Sequence, residues 1–124
     1  MKVVFDAGAL IALERNVRAV WAVLARASRE ELDVVVPTTV LAQVWRNRPA
    51  QARLSSALAE CVLAGFDPHA RRVGELLRRA GTSDICDAHV ALVVDDDDWL
   101  FTSDPHDLGR LLDALRKRPA VVRC

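Results

Sequence analysis

The stretch Lys2-Val3-Val4-Phe5-Asp6-Ala7-Gly8-Ala9-Leu10-Ile11-Ala12-Leu13 carries two signals side by side. Lys2 to Phe5 is a strand candidate, and its continuous apolar part Val3-Val4-Phe5 predicts burial on both faces. Asp6 ends it, and Gly8 to Leu13 then reads as a short apolar helix that Asp6 can cap. A buried strand delivering an acid to the start of a helix is the unit of a parallel α/β sheet. The unit recurs along the chain. Asp33 to Val36 is a second strand, stopped by Pro37, and Cys61 to Phe66 reads as a third. Trp99 to Thr102 is a fourth and Ala120 to Arg123 a fifth.

Helical patterns fill the gaps. Asn16 can cap a helix with Val17, Val20, Trp21 and Leu24 on one face. Thr38 or Thr39 can cap the next, through Trp45, and Pro49 opens one carrying Leu54, Ala57 and Leu58. Asp67-Pro68 starts a helix with Val73, Leu76 and Leu77 inward and Gly81 as its stop. Thr82 or Ser83 starts another over Ile85 to Val94. Asp104-Pro105 opens the last, with Leu108, Leu111, Leu112 and Leu115 inward, and Pro119 breaks it. The chain is read as one domain over residues 1–124, with right-handed crossovers.

Composition narrows the classes. The chain has 124 residues, 52% hydrophobic, which excludes disorder. Lys+Arg is 17 and Asp+Glu is 17, so no global basic footprint exists and any nucleic-acid function needs a local site. Cys61, Cys86 and Cys124 form neither a disulfide framework nor a zinc motif. No apolar run reaches the ~18 residues of a membrane span, and Met1 to Asp6 meets an acid too early for a signal peptide. A reduced, cytoplasmic protein is the expectation.

In parallel sheets the site lies beyond the C-terminal strand ends, where strand order reverses. Asp6 ends the first strand and Asp104 closely follows the fourth. Asp84 and Asp87 share a face in the first turn of the helix before it. If the first and fourth strands are neighbours, these acids converge. Helix capping alone also accounts for each of them, and Asp67-Pro68 repeats the grammar of Asp104-Pro105. Strand order separates the two: in the order 3-2-1-4-5, Asp67 lies two ladder steps, ~10 Å, from the first strand. Two carboxylates ~5 Å apart repel by about 3 kcal/mol at an effective dielectric of ~20, so converging acids call for a cation. Oxygen ligands without a His or Cys cluster favour Mg²⁺ or Mn²⁺, which suit phosphodiester chemistry.

Val4-Phe5-Asp6-Ala7-Gly8-Ala9-Leu10-Ile11-Ala12-Leu13-Glu14 resembles the first motif of PIN-domain proteins. Val36-Pro37 with Leu41-Ala42-Gln43-Val44-Trp45-Arg46 resembles the second. Asp84-Ile85-Cys86-Asp87-Ala88-His89-Val90-Ala91-Leu92 resembles the third, and Phe101-Thr102-Ser103-Asp104-Pro105-His106-Asp107-Leu108 the fourth. The motifs follow family order over essentially the whole chain and look most like those of VapC toxins from bacterial toxin–antitoxin pairs. The resemblance implies a three-layer α/β/α fold with a five-stranded parallel sheet in the order 3-2-1-4-5. It implies a Mg²⁺- or Mn²⁺-dependent endoribonuclease, a small VapB-like antitoxin and a homodimer. Asp6, Asp87 and Asp104 take the metal-binding roles, with Asp84 a further ligand or outer group and Thr102 and Ser103 in support. Gln43 stands where much of the family carries Glu. Its carbonyl could orient a metal-held water without adding charge. A surface amide is the plain alternative.

Other residues read less sharply. Asp95 to Asp98 lies at the opposite sheet edge and reads as a solvated loop. His89 reads as structural, while His106 lies close to Asp104. Trp21, Trp45 and Trp99 read as core or interface. Arg15 and Arg46, just past the first and second motifs, are candidate RNA contacts or solvated helix ends. A catalytically weakened binding module is the alternative to a nuclease. A phospho-acceptor receiver domain would need an Asp ending the third strand and a Lys after the penultimate one. Pro68 spoils Asp67 for the first role, and no Lys lies between Lys2 and Lys117.

Overall fold

The computed structural model describes residues Met1–Cys124. Five parallel strands, β1 (Val3–Phe5), β2 (Val34–Pro37), β3 (Val62–Ala64), β4 (Trp99–Thr102) and β5 (Ala120–Arg123), form one sheet. Its order is β3-β2-β1-β4-β5, as expected. The helices are α1 (Ala7–Glu14), α2 (Arg18–Arg29), α3 (Thr38–Val44), α4 (Ala52–Leu58), α5 (Ala70–Ala80), α6 (Ile85–Val93) and α7 (Pro105–Leu115). Helix α1 packs with α2, α3 and α4, while α5, α6 and α7 pack with one another, which gives the two helical layers around the sheet. No helix is long and apolar enough to cross a membrane.

Burial on both faces holds for the centre of the sheet only. Every residue of β1 and β2 is buried, and so is β4 after Trp99. Edge strands β3 and β5 are largely exposed, because each has a ladder partner on one side and little helix above it. The core joins Phe5 and Phe101, whose rings meet edge to face at 5.8 Å, to inward faces of the helices such as Leu10, Leu13, Leu76 and Leu108.

Several helix starts differ from the sequence expectation. Asn16 does not cap α2; it takes φ +60 at the exit of α1, a conformation Asn tolerates, and Val17 occupies the cap position. Neither Thr38 nor Thr39 caps α3, which begins directly after Pro37. Asp84, not Thr82 or Ser83, caps α6, because its carboxylate reaches the Asp87 amide. Gly81 ends α5 in the left-handed conformation as predicted.

The register positions the site. Phe5 stands beside Phe101, and the Asp6 amide donates to the Phe101 carbonyl at 3.2 Å. The chain therefore leaves β1 and β4 side by side, with Asp6 against the β4–α7 connection.

Candidate metal centre and the adjoining arginine pocket

Asp6 is 5% exposed and caps α1, its Oδ1 accepting the Ala9 amide at 3.2 Å. Burial pushes its carboxyl above the ordinary range. The Thr102 hydroxyl and the amides of Ala9, Gly8 and Ser103 pull it back. The Thr102 Oγ1 also accepts the Asp104 amide at 2.9 Å, so one buried hydroxyl ties the β4 exit to Asp6. Gly8 permits this approach. A Cβ there would lie 2.9 Å from the Ser103 amide nitrogen and closer still to its side chain. The sequence reading passed over Gly8; its signal is the small run Ala7-Gly8-Ala9 directly after the acid.

Two helices then present matched pairs of acids. Asp84 caps α6 and accepts the Asp87 amide at 2.9 Å, while Asp104 caps α7 and accepts the Asp107 amide at 3.3 Å. Asp87 is half-buried and its carboxyl is pushed up to about 7. Burial is the largest cause, followed by the charges of Asp84, Asp6, Asp104 and Asp107. The charges of the other three predicted acids thus reach Asp87, and so does that of Asp107, which lines one crevice with Asp84 and Asp87. Its spacing from Asp104 repeats that of Asp87 from Asp84, and this is the signal by which it could have been found. Asp107 is itself raised by its hydrogen bond with Asp104 and by that neighbour's charge.

These five carboxylates take part in none of the chain's ion pairs. Arg110 lines the crevice with Asp84, Asp87 and Asp107, its charge draws the Asp107 carboxyl down, and its Nη2 donates to the Ala80 carbonyl at 3.1 Å. No three His, Cys, Asp or Glu side chains stand close enough to enclose one ion. The donors are hard carboxylate oxygens in excess over Arg110, and such donors suit Mg²⁺ or Mn²⁺ better than a softer metal. Mg²⁺ keeps several waters and can be held by one or two carboxylates plus a substrate phosphate, so these residues could hold it without a closed cage.

Gln43 is exposed and lies in a neighbouring cavity of about 340 Å³, together with Ala7, Glu14, Arg15, Arg46 and Arg48. It makes no hydrogen bond to the acids. Ser103 is exposed beside Gly8, as is His106 beside Asp107. His89 is structural: it is fully buried, its Nδ1 lies 2.7 Å from the Thr39 hydroxyl, and burial lowers its pKa. Trp99 is 42% exposed and so is not core.

Asp95 to Asp98 is not simply a solvated loop. Asp98 is 2% exposed, and its Oδ2 pairs with the Lys2 Nζ at 2.6 Å. The run does lie at the opposite sheet edge, ahead of β4, as expected.

The chain superposes on a chain in the crystal structure of VapBC2 from Rickettsia felis bound to a DNA fragment from their promoter. The TM-score is 0.72 over 100% of this chain and 99% of that one, at 13% sequence identity. No protein-family model and no curated protein matches the sequence. The architecture is therefore PIN-like, a three-layer α/β/α fold around a 3-2-1-4-5 sheet.

Proposed function

We propose that this chain is a Mg²⁺- or Mn²⁺-dependent endoribonuclease, the toxin of a toxin–antitoxin pair. The observation that carries the reading is Asp87, half-buried and facing Asp6, Asp84, Asp104 and Asp107 with no cation paired to any of them. Such a cluster is poised to take up a divalent ion and a phosphate together. When bound, the ion would supply Lewis acidity to the phosphoryl group and activate water for attack. Asp6 is the fixed member, held by the start of α1 and the end of β4. Asp87 must release a proton before it can hold a cation. Asp84 and Asp104 fix the first turns of α6 and α7, and Asp107 adds negative charge at the crevice rim. Thr102 keeps Asp104 in register with Asp6 without touching substrate.

On this reading the protein acts in the cytoplasm as a homodimer and is silenced by a small VapB-like antitoxin. The structural neighbour, determined as VapBC2 on promoter DNA, supports looking for such a partner. Purified protein incubated with total small RNA should yield discrete fragments in Mg²⁺ or Mn²⁺. They should vanish with EDTA and in Asp6→Asn. A second reading, a binding module of PIN-like fold, is favoured by the absence of a closed three-acid cage. Folded, antitoxin-free protein that binds RNA but cuts none under either metal would establish it.

A further inference from the structure

The cavity beside the acids has the opposite electrostatic character. Ala7, the residue after Asp6, forms part of its wall, so the chain links it directly to that acid. Arg15, Arg46 and Arg48 line it against a single acid, Glu14. That acid's Oε1 accepts Gln51 Nε2 at 2.8 Å, and no arginine pairs with it. Gln51 is 5% exposed and builds the floor. Its Nε2 also donates to the Val44 carbonyl at 2.9 Å, and its Oε1 accepts the Arg46 amide at 2.8 Å. One buried amide therefore ties together the ends of α1 and α3 and the turn carrying Arg48. The Arg46 guanidinium is steadied by the Ala42 and Trp45 carbonyls, which leave its charge intact. Arg15 and Arg48 pair with no acid of the chain.

Gln43 completes the wall. A glutamate there would place a second negative charge among the arginines. The neutral amide keeps the pocket's three arginines against Glu14 alone, in a chain of zero net charge. Five carboxylates with only Arg110 among them repel a phosphate strand, so a strand reaching them needs a cationic hold. Ile11, partly exposed on the same wall, offers an apolar surface for a sugar or base.

We infer that this pocket binds a phosphodiester of single-stranded RNA next to the bond presented to the acids, and that Gln43 serves this phosphate subsite rather than the metal. The inference rests on the nuclease reading but is measured apart from catalysis. A fluorescein-labelled 12-nucleotide single-stranded RNA is titrated with the protein in EDTA and the anisotropy followed at several salt concentrations. Arg15→Gln and Arg48→Gln are each expected to weaken binding about 3- to 10-fold and to flatten the salt slope by about 0.7. Gln43→Glu should weaken RNA binding similarly while leaving Mn²⁺ affinity unchanged. Arg29→Gln, on the exposed end of α2, should bind as wild type. Where a cleaved RNA is in hand, Arg15→Gln should raise KM and leave kcat within about twofold.

Pocket variants that bind RNA like Arg29→Gln would overturn the subsite. Gln43→Glu with tighter Mn²⁺ and unchanged RNA binding would return Gln43 to the metal centre. Pocket-dependent binding without cleavage in any metal would sink the nuclease reading and keep the subsite.

Discussion

The chain carries two groups of aspartates at opposite edges of one sheet, and they are built in opposite ways. At the N-terminal edge, Lys2 Nζ meets Asp98 at 2.6 Å and Asp95 at 2.9 Å. The Lys2 and Asp95 amides donate to Asp98, each at 2.8 Å. Burial raises the Asp98 carboxyl, but Lys2 and these amides outweigh it and hold it below the ordinary range. The C-terminus of α6 ends nearby on Lys117, whose Nζ donates to the carbonyls of Ala91, Leu92 and Val94. At the C-terminal edge, the other end of α6 presents Asp84 and Asp87 to Asp6, Asp104 and Asp107 without a paired cation. The Asp98 group carries its cation within the fold, while the Asp87 group holds more acids than the single Arg110 beside it can balance.

The comparison breaks most sharply at Asp87 and Asp98. Asp87→Asn should cost at least 10³-fold in metal-dependent RNA cleavage, about 4 kcal/mol, while leaving the circular dichroism spectrum unchanged. Asp98→Asn should do the reverse. Leaving Lys2 without its buried partner should lower stability by about 3 kcal/mol in urea unfolding, with Mn²⁺ affinity intact. Loss of Mn²⁺ binding in Asp98→Asn, or its retention in Asp87→Asn, would erase the distinction.

Gly8→Ala should come next. The added methyl presses on Ser103, and the β4–α7 connection must shift. About 1–3 kcal/mol of stability should be lost, because overpacking is met by displacement. Mn²⁺ affinity should fall with it, since Asp104 rides on that connection. A variant with normal stability and affinity would show that the close approach is unimportant.

Proton linkage gives the smallest effect. The folded-state pKa of Asp87, about 7, lies above the unfolded value of 3.8. Its contribution is therefore fully present below about pH 4 and is lost as pH rises through 7. A shift of about three units corresponds to about 4 kcal/mol, and solvent screening of a half-buried group reduces that to about 2. His89, whose pKa is lowered, changes stability in the opposite direction at acid pH. The clean readout is thus the difference between metal-free wild type and Asp87→Asn. The two should melt together at pH 4, and the variant should be about 2 kcal/mol more stable at pH 8. Parallel curves at every pH would mean that Asp87 is not strained by its neighbours.

Much of this was legible because short-range rules sufficed. Unbroken apolar runs identified the central strands, and Asp6 and Asp104 declared themselves as caps following strands. Strand order set Asp67 aside, and the sheet bears that out. What escaped depended on partners distant in sequence. The burial of Asp98 needs Lys2, 96 residues away. Thr39 looks like a cap but spends its hydroxyl on His89. Gln43 matches a motif position, yet its surroundings come from α1 and the turn around Arg48. Edge strands β3 and β5 read like central ones because composition does not record which face lacks a helix. Asp107 is visible within the fourth motif, three residues after Asp104, and only its place on the shared crevice gives it a role.

The most direct test is calorimetric titration of Mn²⁺ into metal-free protein at pH 8, in wild type, Asp87→Asn and Asp98→Asn. The account predicts EDTA-reversible binding in wild type and Asp98→Asn and none in Asp87→Asn. Its affinity should fall about tenfold per pH unit below 7, as Asp87 takes up its proton. Absence of binding in wild type, or equal binding in wild type and Asp87→Asn, would contradict it.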